Sequence, residues 1–142
     1  MPIAIPVAVS VPHKVLIVED DNAMAQMCAK LIRRQGHSAV IAGTGQDALT
    51  IVRAARDVDA VISDIQMPQM SGIELLMQLR KVDAQLPVIL MTGYANVVSS
   101  KEAMSLGASD YLSKPFDAET LIVSLERALH LRPTPSGVPE HV

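Results

Sequence analysis

The sequence predicts an α/β chain, a doubly wound (βα)5 domain with a five-stranded parallel sheet. Two patterns carry this expectation. Short apolar, largely β-branched runs recur at 15–18, 38–42, 58–63, 88–91 and 111–112, and the segments between them repeat apolar residues every three or four positions. Parallel neighbours cannot be joined by tight turns, so each such segment acts as a crossover helix, and crossovers of this kind are right-handed.

Val15, Leu16, Ile17 and Val18 form an unbroken apolar run that stops at Glu19, Asp20 and Asp21, as a buried strand followed by an acidic loop does. Asn22 is placed to cap a helix over about 23–34, with Ala23, Met24, Met27, Cys28, Leu31 and Ile32 on its inner face and Gly36 as its stop. A second strand covers 38–42, and the Gly43-Thr44-Gly45 turn leads into a helix with Ala48, Leu49, Val52 and Ala55 inside. The third strand ends at an acid, Asp64. Breakers mark Met67-Pro68-Gln69-Met70-Ser71-Gly72 as a loop, and Ile73, Leu76, Met77 and Leu79 give the next helix its inner face. Pro87 opens the fourth strand, which ends in Thr92 and Gly93; Val97, Val98, Ala103, Met104 and Leu106 make a weaker helix up to Gly107. Tyr111 and Leu112 occupy the fifth strand, Lys114-Pro115 follows, and Leu121, Ile122, Leu125, Ala128 and Leu129 line a last helix beginning near Asp117.

At 142 residues, 49% apolar and 19% charged, the chain fits one globular domain. Residues 14–131 are expected to form it. Residues 1–13 lack a basic leader start and carry Pro2, Pro6 and Pro12, so they read as a disordered or appended tail, and 132–142 reads as a flexible tail or linker. A net charge of −3 offers no general attraction to nucleic acid or an anionic membrane. No apolar run approaches the ~20 residues of a membrane helix, so a cytoplasmic protein is expected. Cys28, the single cysteine, reads as a small buried hydrophobe. His13, His37, His130 and His141 show no ligand spacing.

Ligands of doubly wound sheets bind beyond the strand C-termini, which selects Glu19, Asp20, Asp21, Asp64, Thr92 and Lys114. Carboxylates gathered at one sheet edge repel, and a hard divalent cation relieves them; Mg²⁺, which takes carboxylate and carbonyl oxygens and keeps its waters, suits such a set better than Ca²⁺ or Zn²⁺. A lysine ammonium and a threonine hydroxyl at the same edge complete the parts that phosphoryl transfer needs, and a carboxylate can itself be the nucleophile.

Four motifs then stand out: Val15-Leu16-Ile17-Val18-Glu19-Asp20-Asp21, Ser63-Asp64-Ile65-Gln66-Met67-Pro68, Met91-Thr92-Gly93 and Tyr111-Leu112-Ser113-Lys114-Pro115-Phe116. In this order, at the ends of strands one, three, four and five, they resemble the receiver domains of two-component response regulators over about 14–131. The resemblance implies the flavodoxin-like strand order 2-1-3-4-5. It implies that Asp64 accepts a phosphoryl group while Asp20, Asp64 and the backbone carbonyl of Gln66 ligate Mg²⁺, with Glu19 acting through water and Mn²⁺ able to substitute. Asp21 leaves the choice of metal-touching carboxylate after strand one open by one residue, with Asp20 favoured. Lys114 would grip the phosphoryl oxygens, Thr92 and Tyr111 would form the switch, and Gln66 and Tyr94 would tune dephosphorylation. The implied donor is a histidine kinase or histidine phosphotransfer protein, and the implied partner is an output domain or protein reached through the helix 4, strand 5, helix 5 face, with homodimerisation on phosphorylation.

Three other readings share features with this one. A Mg²⁺-dependent phosphatase with an aspartyl nucleophile would carry a second acid two residues beyond it, where this chain has Gln66. A non-phosphorylated pseudo-receiver would lack an acidic, Thr or Lys position, and none is lacking. A flavin-binding relative of the same architecture would need a phosphate loop, and Gly43-Thr44-Gly45 lacks its further glycine and lysine.

Overall fold

The structure, a computed structural model, describes residues 11–93 and 99–131. The first apolar run becomes β1 (Lys14–Val18), with Val15 through Val18 wholly buried. The remaining strands are β2 (Ser38–Ala42), β3 (Ala60–Asp64), β4 (Val88–Thr92) and β5 (Asp110–Ser113). Between and after them run α1 (Asn22–Arg34), α2 (Gly45–Ala55), α3 (Gly72–Val82), α4 (Ser100–Ser105) and α5 (Ala118–Leu131). The sheet is parallel throughout, in the order β2-β1-β3-β4-β5 that the family resemblance implies.

Side chains alternate across a strand, so each strand feeds two cores. Val15, Ile17, Ile62, Ile89 and Met91 pack beneath α1 and α5, whereas Leu16, Val18, Val61, Val88 and Leu90 pack beneath α2, α3 and α4. Burial on both faces explains why the strands read as continuous apolar runs rather than alternating ones.

The helix faces depart from expectation in a consistent way. α1 buries Ala25, Cys28, Ala29 and Ile32, while Ala23 lies exposed and Met27 is 43% exposed. Small residues let α1 approach the sheet, and the long thioether is turned outward. On α3, Leu75 takes the buried place expected for Met77, which is 51% exposed. Ala55 of α2 is exposed. In α4 only Ala103 is buried, Met104 and Leu106 face solvent, and Val97 and Val98 lie outside the described residues. Capping also differs at α1: Asp21, not Asn22, accepts the amides of Ala23 and Met24, at 3.0 and 3.3 Å.

At the opposite end of the sheet from these caps, the His13 amide donates to His37 Nδ1 at 3.0 Å. The ring proton therefore sits on Nε2 and is donated to Glu126 of α5 at 2.8 Å, so buried His37 ties β1, β2 and α5 together. Its role is structural. Among the described residues no helix is long and apolar enough to cross a membrane.

Cys28 is fully buried, and burial, reinforced by the charge of Glu19, pushes its thiol up to about 11. The native protein should resist iodoacetamide at pH 7 and react only once denatured, since the thiolate is the nucleophile. Mass spectrometry before and after unfolding checks this, and fast native alkylation contradicts it.

Candidate functional site

Parallel strands place all their C-termini on one edge, and the order β1-β3-β4-β5 sets four of those ends side by side. Val18 pairs with Ser63, Asp64 with Met91 and Thr92 with Ser113, so the residues that end each strand, or directly follow it, meet at one level. The site lies where the order reverses around β1 and β3, the switch point of a doubly wound sheet.

Carboxylate oxygens of Glu19, Asp20 and Asp64 lie within 4.8 Å of one another. Glu19 and Asp64 are buried, at 2% and 5% exposure, while Asp20 is exposed. Asp21 lies outside this group and instead caps α1. Lys114 reaches across from β5: its Nζ donates to Glu19 Oε1 at 2.9 Å and lies 3.3 Å from Asp64 Oδ1. The Lys114 amide donates to the Thr92 carbonyl at 2.7 Å, which fixes the start of the segment leaving β5, and the Lys114–Pro115 peptide is cis.

Two buried carboxylates thus share one ammonium, and the charge does not balance. Burial holds the Glu19 carboxyl above its ordinary range despite the Lys114 hydrogen bond, and the charge of Asp64 adds to the rise. Burial alone would lower Lys114, but the hydrogen bond to Glu19 and the charges of Asp64 and Glu19 outweigh it and hold the ammonium above its ordinary value. An all-oxygen donor set with surplus negative charge fits a hard divalent cation of the Mg²⁺ type and no soft metal.

Thr92, at 1% exposure, ends β4, and Tyr111 of β5 is half-buried against the α2, α3 and α4 core. Gln66 is exposed in the loop after β3. Tyr94 lies outside the described residues.

Two features escaped the sequence reading. The Glu19–Lys114 pair joins residues 95 apart, and no local pattern marks it. Gly72 packs directly on the Asp64 carbonyl: a Cβ there would overlap Asp64 O and come within 2.9 Å of Ile65 Cα. The Gly72 amide donates to Ile65 O at 2.9 Å, closing the loop that follows the acid. The only signal was a glycine at the start of a helix, where space rather than conformation selects it.

A family model for the response regulator receiver domain matches residues 15–126. The regulatory protein AtoC of Escherichia coli K12 is 39% identical over 120 residues, covering 84% of this chain and 26% of AtoC. Response regulator MprA of Mycolicibacterium vanbaalenii is 36% identical over 124 residues, covering 87% of this chain and 53% of MprA. The chain therefore spans about a quarter to a half of the length of these relatives. Among solved structures, FixJ-N aligns with a TM-score of 0.79 at 29% identity, covering 88% of this chain and 99% of that one. The receiver domain of NtrX from Brucella abortus aligns with a TM-score of 0.77 at 30% identity, covering 82% and 98%. Strand order, acidic edge and sequence agree over the same stretch of chain, and the protein belongs to the response regulator receiver domain family, whose function is phosphoacceptor signalling.

Proposed function

We propose that Asp64 is the phosphoacceptor, charged from the phosphohistidine of a histidine kinase or histidine phosphotransfer protein. The observation that carries this reading is the Lys114 ammonium held 3.3 Å from Asp64 Oδ1 inside a ring of carboxylates. An Asp64 oxygen attacks phosphorus, the phosphorus–nitrogen bond of the donor breaks, the imidazole leaves with the electron pair and takes up a proton, and an acyl phosphate remains. Lys114 faces the oxygens on which negative charge collects. Asp20, Asp64 and the Gln66 carbonyl would hold Mg²⁺ or Mn²⁺, with Glu19 acting through water. When bound, the ion neutralises charge on the phosphoryl oxygens.

Thr92 and Tyr111 form the switch in this reading: the Thr92 hydroxyl turns toward the new phosphoryl group and Tyr111 moves inward behind it. Tyr111 is half-buried in the structure. The partner face is then α4, β5 and α5, where Met104, Leu106 and Val123 are exposed, and the partner is an output domain or a second protein. Residues 14–131 serve as the receiver of a cytoplasmic regulator, and 132–142, expected as a tail or linker, lie outside the described residues. AtoC and the transcriptional regulatory protein ZraR are each about four times longer than the matched stretch, so any contact with DNA belongs to the part of such a protein outside the receiver. Apart from forming and hydrolysing its own acyl phosphate, the domain turns over no outside substrate, because Gln66 stands where an aspartyl phosphatase needs an acid.

Incubation with acetyl phosphate followed by intact-mass measurement tests the assignment. Wild type with Mg²⁺ should gain one phosphoryl group, and Asp64→Ala, or wild type in EDTA, should gain none. Equal labelling of wild type and Asp64→Ala overturns the site.

A further inference from the structure

We infer that Met70 and Gly45 form a latch between the loops after β3 and β2 that sets the position of the Gln66 carbonyl and hence the strength of metal binding. The inference rests on the reading of that carbonyl as a metal ligand.

The loop from Asp64 to Gly72 is fixed at both ends. Ile65 donates its amide to Met91 O at 2.8 Å, and Gly72 donates to Ile65 O at 2.9 Å. Its middle has few such ties: Gln66, Pro68 and Gln69 are exposed, and the Met70 amide closes a three-residue turn on Pro68 O at 2.7 Å. That turn puts Gln69 at φ 71°, a left-handed conformation that a side chain disfavours. Such a turn persists only where its surroundings hold it.

Met70 supplies the hold. It is half-buried, packs against the α2–α3 core cluster, and covers Gly45 at the first position of α2. A Cβ on Gly45 would lie 2.7 Å from Met70 Sδ, 3.0 Å from Cγ and 3.1 Å from Cβ. Rotation can carry Sδ and Cγ aside but leaves Cβ, which at 3.1 Å is tight enough that Met70 has to give by a few tenths of an ångström, and the turn that its amide closes on Pro68 gives with it. Thr44, Gly45 and Gln46 face Pro68, Gln69 and Met70 across a cleft of about 280 Å³ into which the displaced side chain can go. Gly45 has no left-handed backbone that alanine would strain, so the added methyl acts through Met70 alone. Both are positioning residues, and neither touches the phosphoryl group.

Calorimetric titration of the full chain with MgCl₂ tests the latch, with thermal melting in EDTA run alongside. Gly45→Ala should weaken Mg²⁺ binding about tenfold, the size of effect expected for a support one step removed from a ligand. Met70→Ala should weaken it in the same direction, because the turn loses its hold. Gly45→Ala/Met70→Ala should recover to within about threefold of wild type, the methyl added at position 45 taking the space that the Met70 side chain vacates. Should Gly45→Ala not fold, Met70→Ala and Met70→Leu decide the matter, the leucine retaining most of the affinity. Single variants that melt earlier yet bind Mg²⁺ as wild type does overturn the latch, as does a double variant no better than Gly45→Ala. A wild-type chain that binds no Mg²⁺ overturns the metal reading beneath it and the latch together.

Discussion

Gly72→Ala should lower the melting temperature by roughly 10 °C and abolish phosphoryl labelling of the protein that still folds. The methyl group would overlap the Asp64 carbonyl oxygen and press on Ile65 Cα at 2.9 Å and Asp64 C at 3.0 Å. All three are backbone atoms, so no rotamer change relieves the clash. Either α3 lifts away, loosening Leu75 and Leu76 from a core in which both are fully buried, or the end of β3 is displaced. Overpacking of this kind costs about 3 kcal/mol, and a domain of this size loses roughly 4 °C per kcal/mol. The first route weakens the fold, the second moves Asp64, the proposed phosphoacceptor, and the expected outcome combines them. Gly43→Ala is the matched control, because a Cβ there meets nothing within 4 Å. Melting followed by circular dichroism separates the two variants, and coincident curves would show that the Asp64 backbone yields more easily than its hydrogen bonds suggest.

The clash also shows which parts of the molecule were legible in the sequence. β1, β3 and β4 could be read because strands covered on both faces must be apolar along their whole length, and the helices between them because parallel strands require crossovers. The order in which the strands lie side by side was carried by the family motifs; nothing in the strands themselves distinguishes one neighbour from another. Helix faces were read less well for one reason: hydrophobic is not the same as buried. Met27 and Met77 are apolar, long and exposed, whereas Ala25 and Ala29 are small and buried because close approach of α1 to the sheet needs small residues. α4 was overestimated since Met104 and Leu106, counted as core, face solvent.

The strand-end rule set Glu19, Asp20, Asp64, Thr92 and Lys114 at one edge of the sheet because it is a statement about topology, and the strand order agrees with it. Asp21 was not separable from Asp20 by that rule; it lies outside the cluster and caps the helix after it. Gly72 and the Glu19–Lys114 pair stayed hidden because both are contacts between segments, one a matter of volume and the other of charge. They are also the contacts on which the energetics of the site turn.

Charge at this edge makes Lys114→Met the other severe substitution. It leaves Glu19 and Asp64, with side chains 1% and 7% exposed, without their shared cation. Breaking a fully buried pair costs about 3–5 kcal/mol, and since the Lys114 side chain retains 20% exposure the expected loss is nearer 2–3 kcal/mol at pH 7 without metal. The pH dependence has a definite sign. Glu19 is held above its ordinary value of 4.5 in the fold, so the folded state binds the proton more tightly than the unfolded one and this contribution to stability falls as pH rises through that window. Removing the ammonium raises Glu19 further, which widens the deficit of the variant toward neutral pH and narrows it near pH 4, where carboxylates gain protons in both states. Lys114 itself is held above 10.5, so the advantage of wild type is present below that value and disappears as pH climbs through the folded value. Urea unfolding in EDTA at several pH values should trace this profile, and equal stability at pH 7 would refute the shared-cation account. Mg²⁺ then separates the two duties of the lysine. As the remaining counter-charge, added MgCl₂ should stabilise Lys114→Met by more than it stabilises wild type, while labelling by acetyl phosphate stays depressed, because a cation among the carboxylates restores the balance of the resting site but leaves the incoming phosphoryl oxygens without the ammonium proposed to face them.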